Sequence, residues 1–326
     1  MNKRGTLQGL GKVYNFTLVQ LFKNKANIVS FGIMILLAMA APPIMILLAG
    51  GGAEETGTMF YSQVLSMDEY LNGSSVDYDT RYGIQFGYSI IVMFTGVLSC
   101  TYIIRAIVEE KTSKLVETLM VSIKSQDMIL GKILAVMTFI FSMLILVVIG
   151  FLMSSYVTAM FVDPGAMAQV VAESGIDVGA LRLDPSIVLV VLISLILAYF
   201  QFALIAGLSG AGCTSMEDVE PANTSSMLVI MAGYMVTVFS VIPENPPAVF
   251  LSLCPVISPY TAPAYYAMGE INTLVLIISW LIQGVCIFAT LKLSGKVYDS
   301  LIMYRGKRLK MRQIFAMANN KRREER

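Results

Sequence analysis

The sequence contains no histidine. That absence removes His-dependent proton shuttles, Ser–His and Cys–His nucleophilic pairs and imidazole metal sites. Cysteine is scarce: Cys100, Cys213, Cys254 and Cys286 are far apart and form no C-x-x-C pair. They supply neither a zinc spacing nor a disulfide framework. The motif G-x-x-x-x-G-K-S/T is also missing, because the Gly–Lys pairs at Lys12, Lys132, Lys296 and Lys307 all lack the upstream glycine, so the chain has no phosphate-cradling loop. Charge is sparse as well. Only 14% of the 326 residues are Asp, Glu, Lys or Arg, against about 25% in soluble domains. No catalytic residue, metal site or cofactor site is expected on this chain, and no nucleic acid is expected as a partner.

What is present is apolar. Hydrophobic residues make up 56% of the chain and mean hydropathy is +0.72. These residues fall in long uncharged runs. About 20 helical residues cross a ~30 Å hydrocarbon core, and six runs meet that length: Ile28–Gly50, Ile84–Ile104, Ile133–Val157, Ser186–Gly207, Ser225–Ile242 and Ile271–Leu293. The fold class expected is an all-α membrane protein with six transmembrane helices. The first run is too long for a cleaved signal peptide and lies behind a basic segment. Its Pro42–Pro43 pair predicts a kink.

Lys and Arg are unevenly placed. All but Arg81 and Arg182 of the 23 lie before the first run, between the second and third, or from Lys292, at the end of the sixth run, onward. The positive-inside bias puts both termini in the cytoplasm of a multi-pass protein, here expected in a bacterial plasma membrane. Ionisable residues are missing from mid-depth in all six runs, and Gln201 and Gln283 are the strongest polar groups there. That argues against a proton- or sodium-driven transporter with a midplane carboxylate.

Two further stretches stand out. Residues 5–25 place Leu7, Leu10, Tyr14, Leu18, Leu21 and Phe22 at helical spacing, with Lys12, Lys23 and Lys25 beside them. This reads either as an interfacial amphipathic helix or as a first helix packed on the protein. Between the fifth and sixth runs, Pro243, Pro246, Pro247, Pro255, Pro259 and Pro263 gather six of the chain's eleven prolines. The apolar pieces between them, Ala248–Cys254 and Tyr260–Met268, are too short to cross. They predict two short helices dipping into the outer leaflet, or a proline-rich surface loop.

The cytoplasmic stretch Glu109-Glu110-Lys111-Thr-Ser-Lys114-Leu-Val-Glu117-Thr-Leu-Met-Val-Ser-Ile-Lys124, ending in Gly131-Lys132, sets Leu115, Leu119 and Met120 on one face with charges opposite. It reads as an amphipathic helix across the inner surface. The E-E-K start, the E-T-L, the serine turn and the G-K before the next run resemble ABC type-2 transporter permeases, in particular the bacterial sodium-efflux and drug-export branch. Gly207–Thr224 is similar to that family's short connector, and Pro255-Val-Ile-Ser-Pro259-Tyr to the re-entrant hairpin before its last span.

The resemblance implies an elbow helix over 1–27, a six-span permease domain over 28–294 and a basic tail over 295–326. It implies that ATP and Mg are bound by a separate ATP-binding-cassette ATPase subunit and that a second permease, identical or related, completes the transporter. Glu109, Glu110, Lys111, Glu117 and Lys124 become expected contacts to that ATPase, with Glu217, Asp218 and Glu220 a second, smaller patch. A charge-free, Met- and aromatic-rich interior suits a lipid-like, peptide or drug cargo moved outward. The alternative is a non-transporting scaffold or sensor whose tail, Arg305–Arg326, recruits a partner or anionic lipid. On the transporter reading, reversing Glu109 and Glu110 to Lys should strip the ATPase from a still-folded permease. Unchanged co-purification would remove those two residues from the interface.

Overall fold

The structure is a computed structural model, and it describes residues 3–50, 78–112, 125–161, 185–240 and 247–301. Among them are α1 (Lys3–Lys23), α2 (Lys25–Gly50), α3 (Tyr78–Thr112), α4 (Ser125–Phe161) and α5 (Pro185–Ala211). A 3-10 turn, Met216–Asp218, leads into α6 (Val219–Phe239). The short helices α7 (Ala248–Leu253) and α8 (Ser258–Ala267) then precede α9 (Thr273–Leu301). The described residues contain no strand.

Six of these helices, α2 to α6 and α9, are long and apolar enough to cross a membrane, in agreement with the six runs. The shortest, α6, has 21 residues and so a length of about 31 Å. Pro42 and Pro43 do not split α2, which is helical throughout. The largest difference from the sequence reading lies at one end of α3 and α4, which run past Ile104 and begin before Ile133.

α3 is the most enclosed span and α2 and α9 are the least. α3 packs mainly on α5 and α6, α1 and α2 pack on α4, and α9 packs on α5. Phe139 of α4 joins several of these helices, with its ring 5.0 Å from Phe22, 5.9 Å from Phe31 and 5.1 Å from Tyr102. Large apolar side chains are left exposed on α2 (Leu36, Leu37), α4 (Val148, Leu152) and α9 (Leu274, Leu281). A surface of that kind is poorly suited to water and well suited to lipid or a partner helix.

α1 lies against α4 with Val13, Thr17 and Leu21 buried, while Phe16, Val19 and Phe22 stay exposed. Gly131 makes the close approach possible. A Cβ there would sit 3.0 Å from Val13 Cβ and 3.1 Å from the Leu10 carbonyl oxygen, so α1 would have to move away by a few tenths of an ångström to admit it. About two turns along α4, Thr138 Oγ1 lies 3.1 Å from Tyr14 Oη.

The proline-rich segment forms two short helices, α7 of 6 residues and α8 of 10. Inside a helix, proline has no N–H to give and orphans the carbonyl four residues earlier. Pro255 O, in the turn before α8, accepts from Gln201 Nε2 of α5 at 2.7 Å. Pro263 leaves Pro259 O orphaned, and the Tyr88 hydroxyl of α3 donates to it at 3.0 Å. Gln85 Nε2 donates to Tyr260 O at 3.1 Å, and Gln283 Nε2 of α9 reaches Gln201 Oε1 at 3.3 Å. Gly269, at φ +77°, closes α8 by taking the left-handed conformation that permits the bonds Gly269 N to Tyr266 O and Glu270 N to Tyr265 O. Of the two glutamines singled out in the spans, Gln201 thus meets a carbonyl of this segment and Gln283 meets Gln201.

These bonds make a prediction. Gln201→Leu and Tyr88→Phe should each destabilise the purified protein by about 1 kcal/mol, read as a lower thermal midpoint in detergent. Unchanged midpoints for both would mean that the short helices are held by packing alone.

Candidate functional site

The basic end of α3 gathers most of the charged residues singled out by sequence. Its inward face repeats at helical spacing: Ile103, Ile107 and Glu110 are each buried. The facing stripe on α4 is Ile129, Lys132, Val136 and Phe139, also buried. Glu110 and Lys132 therefore meet between apolar neighbours, with Lys132 Nζ 2.7 Å from Glu110 Oε2 and side-chain exposures of 1% and 2%. At such burial both charges are tenable only because they are paired.

Each neighbouring residue on the last turn of α3 ties it to a different helix. Glu109 accepts a hydrogen bond from Gln20 Nε2 of α1 at 3.0 Å and lies 3.5 Å from Arg105 Nε. Lys111 Nζ donates to the Ala211 carbonyl at 3.1 Å, capping the C-terminus of α5, where helical carbonyls lack intrahelical donors. Immediately beyond, Asp218 Oδ2 accepts from Thr214 N and Thr214 Oγ1, both at 2.9 Å, and from Ser215 N at 3.1 Å. That carboxylate folds the α5–α6 connection back on itself. Glu217, on the same connection, and Glu220, in the first turn of α6, are exposed.

The structure thus brings Glu109, Glu110 and Lys111 together with the 217–220 patch, through the Lys111–Ala211 bond. It does so in an arrangement that differs from the sequence reading in two respects. Glu109, Glu110 and Lys111 belong to the end of a long span, not to a separate surface helix. Glu110 turns inward to an intramolecular partner, so reversing it would set two buried cations against each other and test packing instead of docking. Asp218 is committed to its own loop, and Glu217 and Glu220 are the residues left facing outward. Glu117 and Lys124 lie outside the described residues, as does the basic tail beyond 301.

Lys132 is the residue that sequence reasoning missed in this role. It was visible only as part of a Gly–Lys motif. Extending the buried periodicity of Ile129 and Val136 by one position places it on the core face. The motif now has a physical meaning: Gly131 admits α1, and Lys132 holds α3. Among the described residues, no group of three or more His, Cys, Asp or Glu converges to hold a metal.

Removing one partner of a buried ion pair costs about 3–5 kcal/mol, whereas replacing both by apolar residues is often nearly neutral. Glu110→Gln and Lys132→Met should each destabilise the protein severely, and the double variant Glu110→Leu/Lys132→Met should recover most of the loss. Detergent unfolding midpoints check this; single variants as stable as the parent would contradict the buried pairing.

Residues 74–292 match the family model described as ABC-2 family transporter protein. Comparisons with curated proteins and with solved structures found no significant match.

Proposed function

Because the chain belongs to the ABC-2 transporter family, matching it over residues 74–292, and is thereby a transmembrane subunit of an ABC transporter, we propose a route by which it turns ATP hydrolysis on another chain into export. The observation that carries the route is the buried Glu110–Lys132 pair. It closes the base of the α3–α4 hairpin, and the intervening residues 113–124, including Glu117 and Lys124, are the segment an ATP-binding-cassette ATPase grips. Both ends of that segment are anchored to one ion pair, so a push on it moves α3 and α4 together.

The push then spreads. Gln20–Glu109 carries it to α1, and Lys111 with the Ala211 carbonyl carries it to α5 and the connection before α6. Glu217 and Glu220 form the smaller outward-facing contact to the same ATPase. No phosphate-binding loop occurs in the chain, so ATP and Mg belong to that partner, and a second permease packs beside this one in the membrane. Both termini are cytoplasmic on this reading. α7 and α8, too short to span, dip into the outer leaflet, with their broken backbone held by Gln85, Tyr88 and Gln201. Gln85, Tyr88 and Gln201 are engaged in these internal bonds, and the six apolar runs carry no charge at mid-depth. An amphipathic or lipid-like cargo, a peptide or a drug fits such an interior better than a bare ion does.

The test uses the outward-facing acids, since they can be reversed without disturbing the buried pair. Glu217→Lys/Glu220→Lys should weaken retention of the ATPase in a mild-detergent pull-down by roughly fivefold, the ~1 kcal/mol of a rim charge contact, with the permease still folded. Full retention, or a parent chain that brings down no P-loop ATPase, would remove the coupling route.

A further inference from the structure

A small recess, lined by Leu21, Tyr102 and Ala106 as well as by polar side chains, lies where α1, the joint between α1 and α2, and α3 meet. Its polar lining is Thr17, Gln20, Asn24, Asn27, Arg105 and Glu109. We propose that it binds the phosphate of an anionic phospholipid headgroup, seated at the basic end of the bundle. This inference stands apart from the coupling route and does not require an ATPase.

Two independent observations support it. The first is Thr17, whose side chain is buried at 1% exposure and whose hydroxyl has no hydrogen-bond partner. A hydroxyl shut away from water without a partner is costly, and this one lines the recess. The second is Arg105. Its partner among the described residues is Glu109, reached through Nε at 3.5 Å, and the side chain is 43% exposed. Both terminal guanidinium nitrogens therefore remain for a ligand, in the forked arrangement that suits a phosphate diester.

The other lining groups fit the same occupant. Asn24 Oδ1 accepts from Ala26 N, which leaves its Nδ2 as a donor. Asn27 Nδ2 is used by the Leu21 carbonyl. Glu109 opposes an anion, but its two oxygens are engaged by Gln20 and Arg105. Lys23 and Lys25 flank Asn24 and are exposed, so the mouth of the recess carries more positive than negative charge. The floor admits only a water-sized group, which suits a phosphate oxygen and not a whole headgroup.

A lipid, and not free phosphate, is indicated by what surrounds the recess. Phe16, Val19 and Phe22 on α1, and Ile28 and Val29 on α2, are exposed apolar side chains on the two helices that meet at it. Acyl chains would lie along them while the phosphate reached Arg105. Bound there, the lipid bridges α1 to α3 at the turn that carries Glu109, and so braces the elbow of the bundle against its membrane.

The experiment is native mass spectrometry of the whole purified chain titrated with phosphatidylglycerol. Parallel titrations use phosphatidylcholine and excess inorganic phosphate as competitor. Phosphatidylglycerol should bind about fivefold more tightly than phosphatidylcholine, and inorganic phosphate should not displace it. Arg105→Gln should weaken binding about tenfold. Thr17→Val, which removes only the buried hydroxyl and keeps its shape, should do the same in a chain of parental stability. Binding unchanged by Thr17→Val and Arg105→Gln would overturn the site. Equal affinity for the two lipids would overturn its preference for an anion, and displacement by inorganic phosphate would overturn its assignment to a lipid.

Discussion

In an apolar surround no polar group finds a partner outside the chain, and both ends of α3 are built around that constraint. At one end, Gln85 and Tyr88 donate to carbonyls of the α7–α8 segment. At the other, Glu110 is neutralised by Lys132. The two ends are 25 residues apart along one helix, about 37 Å. A single rigid element therefore connects the broken backbone to the ion pair.

The ion pair contributes specificity more than stability. Desolvating two charges offsets most of their attraction, so an apolar pair of similar size would serve stability as well. What the charges add is register: Lys132 satisfies Glu110 only when α3 and α4 stand at one mutual height and rotation. Gly131, one residue earlier, sets how near α1 comes to the same place. Three helices are thereby indexed to one another over a two-residue motif. On the proposed reading, that indexing lets a force applied between α3 and α4 move helices instead of being lost in side-chain slippage.

The opposite end follows a different logic. Proline interrupts helices, and an interrupted helix in a membrane protein survives where neighbouring side chains meet its freed carbonyls. Tyr88 meets the carbonyl that Pro263 has freed, and Gln201 meets one in the turn between the two short helices. The glutamines of the spans are therefore accounted for structurally, and a polar cargo pathway need not be assigned to them. The apolar exposed faces of α2, α4 and α9 remain for lipid or for another membrane helix.

Much of this was legible in the amino-acid order. Long uncharged runs declared six spans, because crossing length follows from rise per residue and the thickness of hydrocarbon. The proline cluster predicted two short helices or a loop, because six prolines so close together leave no uninterrupted run of crossing length, whereas the Pro42–Pro43 pair inside a long apolar run left α2 continuous. The acidic and basic residues near 109–132 and 217–220 stood out in the sequence as candidate contacts. Which of them face outward was decided only by tertiary structure. Glu110 and Glu109 are adjacent in sequence, yet one is sealed against Lys132 and the other reaches Gln20. That difference depends on where α3 ends, on the rotation that puts Ile107 and Glu110 on the same buried face, and on the approach of α1 that Gly131 allows. A side chain's partner across 22 or 89 positions is a property of how helices pack. Local spacing carries no record of it.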